Sequence, residues 1–312
     1  PFDGRKHRVA GADAAVAASE AMVEVTLLDV RLELRELFAA WYLAGEREQV
    51  LKDHLDTTRR LAEWLRARAD QGEAAGVEAR RLELEVEVLS RQLAEANAET
   101  RARKAAAATW SELVTDGSRP ERPALAPPPA SVDVTDRPDL VALELGVVEA
   151  EARQRVNKRV LAPPEITLGW LDLRDDTRSF DGPVFGVTWP VPVFDRNQGS
   201  RDAATAEVDR ARAELEAARR AALQHAHAAL ASYADLYGAV APGTSFAVED
   251  GVVVAQLAAF EAGEATLTDV LDGLRTTANV RLARLDTLAA ALTAERTLEA
   301  AVGRPILPGG SS

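Results

Sequence analysis

Asp269 and Asp272 stand three residues apart where a helical pattern begins, so both carboxylates share one helical face. Such a pair can draw cations to a surface, or it can complement the positive end of the helix dipole. Glu78 occupies the matching place earlier in the chain, 191 residues before Asp269. The histidines offer little more. His225 and His227 are two apart, which directs them to different helical faces, and they read as solvated side chains, as do His7 and His54. The chain has no cysteine, which removes thiolate ligands and disulfides together. No phosphate-binding glycine loop, nucleophile elbow or His-rich ligand set is present. The sequence therefore carries no catalytic arrangement, and neither a cofactor nor a bound metal is expected.

The elements that must position these residues are mostly helices. Only 5% of the 312 residues are aromatic, while Ala, Leu, Glu and Arg abound, a composition of long helices rather than of a thick globular core. The formal charge of -13 opposes a nucleic-acid partner, because phosphate binding needs a basic surface. No run of 18 apolar residues predicts a transmembrane helix, and no signal peptide is visible.

One uninterrupted helical pattern runs from Asp3 to Asp70, with Val23, Leu27, Val30, Leu34, Leu37 and Trp41 as its seam. At ~1.5 Å per residue that is about 100 Å. It breaks at residues 71–76 and resumes through Leu82, Val86, Leu89, Leu93 and Ala96 to near Val114, which predicts an antiparallel helical hairpin. A proline-rich linker containing Pro127-Pro128-Pro129 follows, then a shorter helix over about Leu140 to Val160. Two stretches alternate with period two: Ile166, Leu168 and Trp170 share one face, and Phe185, Val187, Trp189, Val191 and Val193 share another. Between them Asp175 to Gly182 reads as a polar loop. The arms of about ten residues match a tilted membrane-spanning β-strand. Trp170, Phe180, Phe185 and Trp189 fit either membrane interfaces or packing against neighbouring helices. After the turn at Asp195, Asn197 and Gly199 the period becomes helical, with Val208, Ala211, Leu215, Ala218, Ala222, Ala226, Ala229, Tyr233 and Leu236 in the seam. Gly238 and Pro242-Gly243 predict a break. The helix then leads to Ala262-Gly263-Glu264, and a last helix returns to about Val302.

The chain repeats itself. Gln71-Gly72-Glu73-Ala74 lies 191 residues before Ala262-Gly263-Glu264-Ala265, and Tyr42 lies 191 before Tyr233. The predicted division is residues 1–117 as the first repeat, 118–136 as linker, 137–303 as the second repeat and 304–312 as a tail. The second copy has a strand pair before its long helix and the first begins where such a pair would end, so an amino-terminal part is expected to be missing.

With these residues in view the chain resembles the TolC family of outer-membrane efflux proteins, over nearly its whole length. Three stretches carry the likeness. Pro190-Val191-Pro192-Val193-Phe194-Asp195-Arg196-Asn197-Gln198-Gly199 resembles the strand-to-helix passage of the heavy-metal-efflux branch. Phe260-Glu261-Ala262-Gly263-Glu264 followed by Asp269-Val270-Leu271-Asp272 is similar to the family's helical tip, and Leu298-Glu299-Ala300-Ala301-Val302-Gly303 to its terminal helix. The resemblance implies a mainly α fold with a small β part: long antiparallel coiled-coil hairpins in two structural repeats plus a membrane β-hairpin, a TolC-like α/β-barrel protomer. It implies a homotrimer in outer-membrane lipid, with helices extending into the periplasm, where a periplasmic adaptor protein and an inner-membrane pump would be the partners. Two strands cannot close a barrel and an open edge cannot face lipid, so oligomerisation also follows from the strand pair.

By the same resemblance Asp269, Asp272 and Glu78 line a pore entrance, where a ring of carboxylates favours cations. Gly72, Glu73, Gly263 and Glu264 form the tip turns that meet the adaptor, and Pro192, Phe194, Asp195, Asn197 and Gly199 form the strand-to-helix passage. Phe260 and Thr266 stand where relatives carry a hydroxyl aromatic and a basic residue, so an ion-paired latch is not carried over to them. The implied function is an outer-membrane channel subunit of a tripartite efflux pump, a passive conduit with heavy-metal cations as a candidate cargo. The alternatives are the outer-membrane component of type I protein secretion and a soluble coiled-coil scaffold.

Overall fold

The structure, a computed structural model, describes residues 3–71, 76–112, 114, 115, 117–158, 165–175, 178–188, 197–240 and 247–306, with side chains throughout except at 3, 172–175, 178–180 and 247–250. Its elements are α1 (Asp3–Asp70), α2 (Gly76–Ala108), α3 (Pro138–Asn157), β1 (Glu165–Asp175), β2 (Arg178–Thr188), α4 (Gln198–Val240), α5 (Ala247–Glu261) and α6 (Leu267–Val302). They form two compact units, residues 1–26 with 134–223, and residues 27–133 with 224–312, with boundaries inside α1, ahead of α3 and inside α4.

In the first unit the start of α1 meets α3 where both side chains are small. A Cβ placed on Gly11 would lie 3.3 Å from that of Ala152. Proline sits at the start of α3, where its missing N–H costs nothing. Helix α3 is tied to α4 by Arg212 to Glu151 at 2.6 Å, by Arg219 to Glu144, and by Gln154 to Thr205 at 3.2 Å. The seam of α4 is as expected: Val208, Leu215 and Ala222 are buried.

The strands pair antiparallel, with Glu165 opposite Thr188, Leu168 opposite Phe185 and Asp175 opposite Arg178. This corrects the predicted loop over Asp175 to Gly182. Strand β2 begins at Arg178, because ladder hydrogen bonds join backbone groups and do not depend on side-chain polarity. The membrane hairpin expected over 165–194 is described as far as Thr188. Trp189, Val191 and Val193 lie outside the described residues.

In the second unit α1 and α2 run antiparallel, with Arg59 against Ser90 and Arg66 against Glu83. Helix α6 runs antiparallel to α1, with Arg35 on Glu295 and Arg47 on Asp286. One apolar cluster joins Leu61 and Leu65 of α1, Leu82 of α2 and Leu267, Val270, Leu271 and Leu274 of α6. A second joins Leu43 to Leu285, Leu288 and Leu292. Burying leucines of this size stabilises by roughly 1.5–3 kcal/mol each. Helix α2 stops at Ala108, short of Val114. The Thr109 N–H donates to the carbonyl of Ala106, three residues back, at 3.3 Å and closes a tighter final turn, and the Thr109 hydroxyl donates to the same carbonyl. Helix α4 passes through Gly238 without a break and ends at Val240; Pro242-Gly243 lie outside the described residues.

The internal repeat reappears in the helix ends. Helix α5 ends at Glu261, 191 residues after the end of α1 at Asp70, and α6 starts at Leu267, 191 residues after the start of α2 at Gly76.

Candidate functional site

Helix α5 ends in a glycine cap. Gly263 has a left-handed φ of 78°, a conformation an L side chain resists. The Glu264 N–H donates to the carbonyl of Ala259 at 2.8 Å and the Gly263 N–H to that of Phe260 at 3.0 Å, which satisfies two terminal carbonyls. Thr266 then caps α6. Its hydroxyl accepts from the Asp269 N–H at 3.2 Å, and the Asp269 carboxylate accepts in return from the Thr266 N–H at 2.9 Å. The turn is brought to order by these reciprocal bonds and by Phe260, whose ring packs on Trp64 at 5.6 Å.

Asp269 and Asp272 both lie exposed on one face of α6. Their circumstances differ. The Thr266 hydroxyl and backbone N–H hold the Asp269 carboxyl below its usual range, while Asp272 lies near the Arg275 guanidinium. Glu78 is exposed in the first turn of α2, the position that Asp269 holds in α6. Of the tip residues Gly263 and Glu264 are described; Gly72 and Glu73 lie outside the described residues.

Just behind the aspartates α2 and α6 run parallel and are joined twice. Arg81 donates to the Thr268 hydroxyl at 3.3 Å, and Arg275 grips the Glu85 carboxylate with two nitrogens at 3.1 and 2.6 Å. The Arg275 hydrogen bond pulls the Glu85 carboxyl below its ordinary value. Sequence reasoning missed this pair. Its signal was the repeat itself, since partners 190 residues apart sit almost one repeat from each other.

His54 is also not where the sequence suggested. It is only 9% exposed, because it lies on the α1 face turned toward neighbouring helices, and its Nε2 has no hydrogen-bond partner among the described residues. It lines a cleft of about 740 Å³ together with Asp53, Val253, Leu274, Ala278 and Arg281. Burial lowers its pKa, with Glu85 opposing and Arg275 reinforcing the shift. His225 and His227 are exposed as expected. Among the described residues no cluster of His, Cys, Asp and Glu could hold a metal ion.

A buried polar hub, also unforeseen, occupies the second unit. Glu295 is 0% exposed; it accepts from the Ala126 N–H at 2.8 Å, from Arg35 at 2.7 Å and from the Tyr233 hydroxyl at 3.1 Å. Glu299 takes the other Arg35 nitrogen and accepts from the Ile306 N–H at 2.9 Å. Tyr233 shares that single O–H with the Ala126 carbonyl, and its pKa is raised by burial first and by Glu295 next. One cluster therefore fastens α1, the proline-rich linker, α4 and both ends of the last turns of α6.

The strand pair presents an apolar face. Ile166, Leu168, Trp170, Phe185 and Val187 share it through the register, and Trp170 and Phe185 are 69% and 71% exposed. Trp170 donates its indole N–H to Asp181. Such a face is wrong for water and right for lipid. Among the described residues no helix is long and apolar enough to cross a membrane. In the strand-to-helix passage Asn197 and Gly199 are described, Gly199 in the first turn of α4; Pro192, Phe194 and Asp195 lie outside the described residues.

Known proteins resemble this chain in sequence and in fold. The chain is 27% identical to the cobalt-zinc-cadmium resistance protein CzcC of Cupriavidus metallidurans over 316 aligned positions, covering 96% of this chain and 74% of that protein. Among solved structures, the outer membrane protein VceC of Vibrio cholerae superposes with a TM-score of 0.74 at 16% identity, covering 97% of this chain and 77% of VceC. CusC, studied for folding and transmembrane channel formation, gives 0.76 at 18% identity, covering 97% and 75%. These two likenesses concern the fold. Residues 134–304, more than half of the chain, match the outer membrane efflux protein family, a family of channels rather than of enzymes. With its lipid-fitted strand pair and its long helices, the chain belongs to that family and is an outer-membrane efflux channel subunit with periplasmic helices.

Proposed function

We propose that this channel subunit conducts divalent transition-metal cations outward, as a homotrimer coupled to a periplasmic adaptor and an inner-membrane pump. The observation that carries the cargo is the likeness to a cobalt-zinc-cadmium resistance protein along 96% of the chain. The homotrimer is supported by the strand pair, whose open edges need partner strands in lipid, and by Val23 and Leu27, seam residues of α1 left exposed in the single chain. The repeats 1–117 and 137–303, the linker 118–136 and the tail 304–312 are its working division. The tip turns at Gly72-Glu73 and Gly263-Glu264 are the adaptor contact, and Asp269, Asp272 and Glu78 form the entrance. Three copies of these carboxylates around an axis give a negative potential that concentrates cations.

The test is genetic and chemical together. The gene is removed from its native host and replaced by the full-length wild type, and growth is measured across cobalt, zinc and cadmium concentrations. Loss of tolerance that the wild type restores supports the reading. Unchanged tolerance, with loss of a secreted protein from the medium, moves the channel to type I secretion.

A further inference from the structure

Asn197 is the one residue other than glycine with a positive φ among the described residues, at 60°. That left-handed bend is tolerated best by Gly, Asn and Asp. The Asn197 carbonyl accepts from the Arg201 N–H at 3.2 Å and so opens the hydrogen-bond ladder of α4. Its side-chain Nδ2 donates to the carbonyl of Asn157 at 3.2 Å, forty residues back in the chain, at the last residue of α3. Strands β1 and β2 lie between these two residues in the chain. Farther along the same two helices Gln154 meets Thr205, so α3 and α4 are already side by side where Asn197 acts.

We infer that Asn197 is a positioning residue that clasps the base of the strand pair: its left-handed backbone sets the direction in which α4 departs, and its amide ties that departure to the end of α3. Two separate properties meet in one side chain. Glycine supplies the bend without the bond. Aspartate tolerates the bend, but it has no N–H to give a carbonyl and instead brings a repelling oxygen. Alanine supplies neither. The clasp fixes where the chain leaves the helices and returns to them, and so fixes the angle at which each subunit offers its strands to a shared barrel. This last step rests on the membrane reading given above.

The chain contains no cysteine, so an engineered pair reports cleanly. The full-length protein carrying Gln154→Cys and Thr205→Cys is reacted with a short bifunctional thiol reagent in outer membranes, and the rate of internal cross-linking is measured. Loss of one net hydrogen bond corresponds to roughly a five-fold fall in the closed-to-open equilibrium constant. The expected result is that Asn197→Asp and Asn197→Gly each slow cross-linking, by up to about that factor, that Asn197→Ala slows it further, and that all lower the yield of heat-resistant trimer. Helical circular dichroism is expected to melt as in the wild type for Asn197→Gly and Asn197→Asp, which both tolerate the bend, so a general loss of fold is separable. Wild-type cross-linking rates in Asn197→Asp and Asn197→Gly would overturn the clasp. If the rates fall as expected but the wild type itself yields no outer-membrane trimer, the clasp stands and the membrane reading falls.

Discussion

At the scale of the residue, His54 and the two aspartates show how one side-chain type is turned to different ends by its surroundings. His54 is held neutral by burial, so its folded-state pKa lies below the ordinary imidazole value. The unfolded chain then binds more protons, and the associated stability is present above about pH 6.5 and is lost as the pH falls below it. Replacing His54 by Leu is expected to flatten the pH dependence of denaturant stability below about pH 6.5, where the contribution of neutral His54 is being lost; a slope unchanged in the variant would place the titration elsewhere. Asp269 spends its carboxylate on capping, whereas Asp272 makes no cap. In bilayers containing the full-length trimer, Asp272→Asn is expected to weaken block by a trivalent cation added from the periplasmic side while leaving the melting temperature within a degree or two. Asp269→Asn should weaken block as well, with a small additional loss of stability from the cap. Equal block in wild type and both variants would return these residues to surface solvation and helix capping.

At the scale of the element, the hub around Glu295 decides how the proline-rich linker is held. A linker of this composition has few backbone partners of its own, yet Ala126 is fastened through both its N–H and its carbonyl. Glu295→Ala leaves the buried Ala126 N–H unpaired while Arg35 keeps Glu299, and is expected to cost about 1–3 kcal/mol, the range for leaving a buried polar group unsatisfied. Tyr233→Phe removes a single hydroxyl and should cost about 1 kcal/mol. Both are read by chemical denaturation, and limited proteolysis should cut the linker faster in each; equal cutting in wild type and Glu295→Ala would show that the linker is held by other contacts. The helices were legible in the sequence because periodic apolar residues announce them: α1 was read over Asp3 to Asp70. Tyr233 was read as a seam residue for the same reason. Glu295 and Glu299 were not, since a carboxylate on a helix reads as solvent-facing until an arginine from a distant helix is seen opposite it. The interhelical pair of Glu85 with Arg275 was hidden in the same way.

At the scale of the whole molecule, the apolar strand face commits the chain to lipid. Leu168 and Phe185 are opposite each other and both exposed. A lysine on a lipid face costs about 2–4 kcal/mol near the bilayer midplane. Leu168→Lys and Phe185→Lys are therefore expected to lower the amount of full-length protein recovered in outer membranes, while Thr167→Lys, on the other face of β1, should be tolerated. Equal recovery of all three would remove this face from the membrane. The strand pair and its apolar alternation were legible, but its extent was not, because Arg178, Ser179 and Asp181 resemble a loop until the register shows them paired.

The hub has a consequence in time. Ala126 obtains its acceptor from residue 295 and its tyrosine from residue 233, separations of 169 and 107 residues. Closing such distant contacts is slow, and during synthesis it waits until the acceptor has been made. The linker is thus among the last parts to settle, and a growing chain stopped before Glu295 carries it undocked. Nascent chains arrested at about residue 280 should be cut by a broad-specificity protease within 118–133, whereas released chains resist there; for a protein that must travel before it assembles, the order of manufacture itself postpones the final closure.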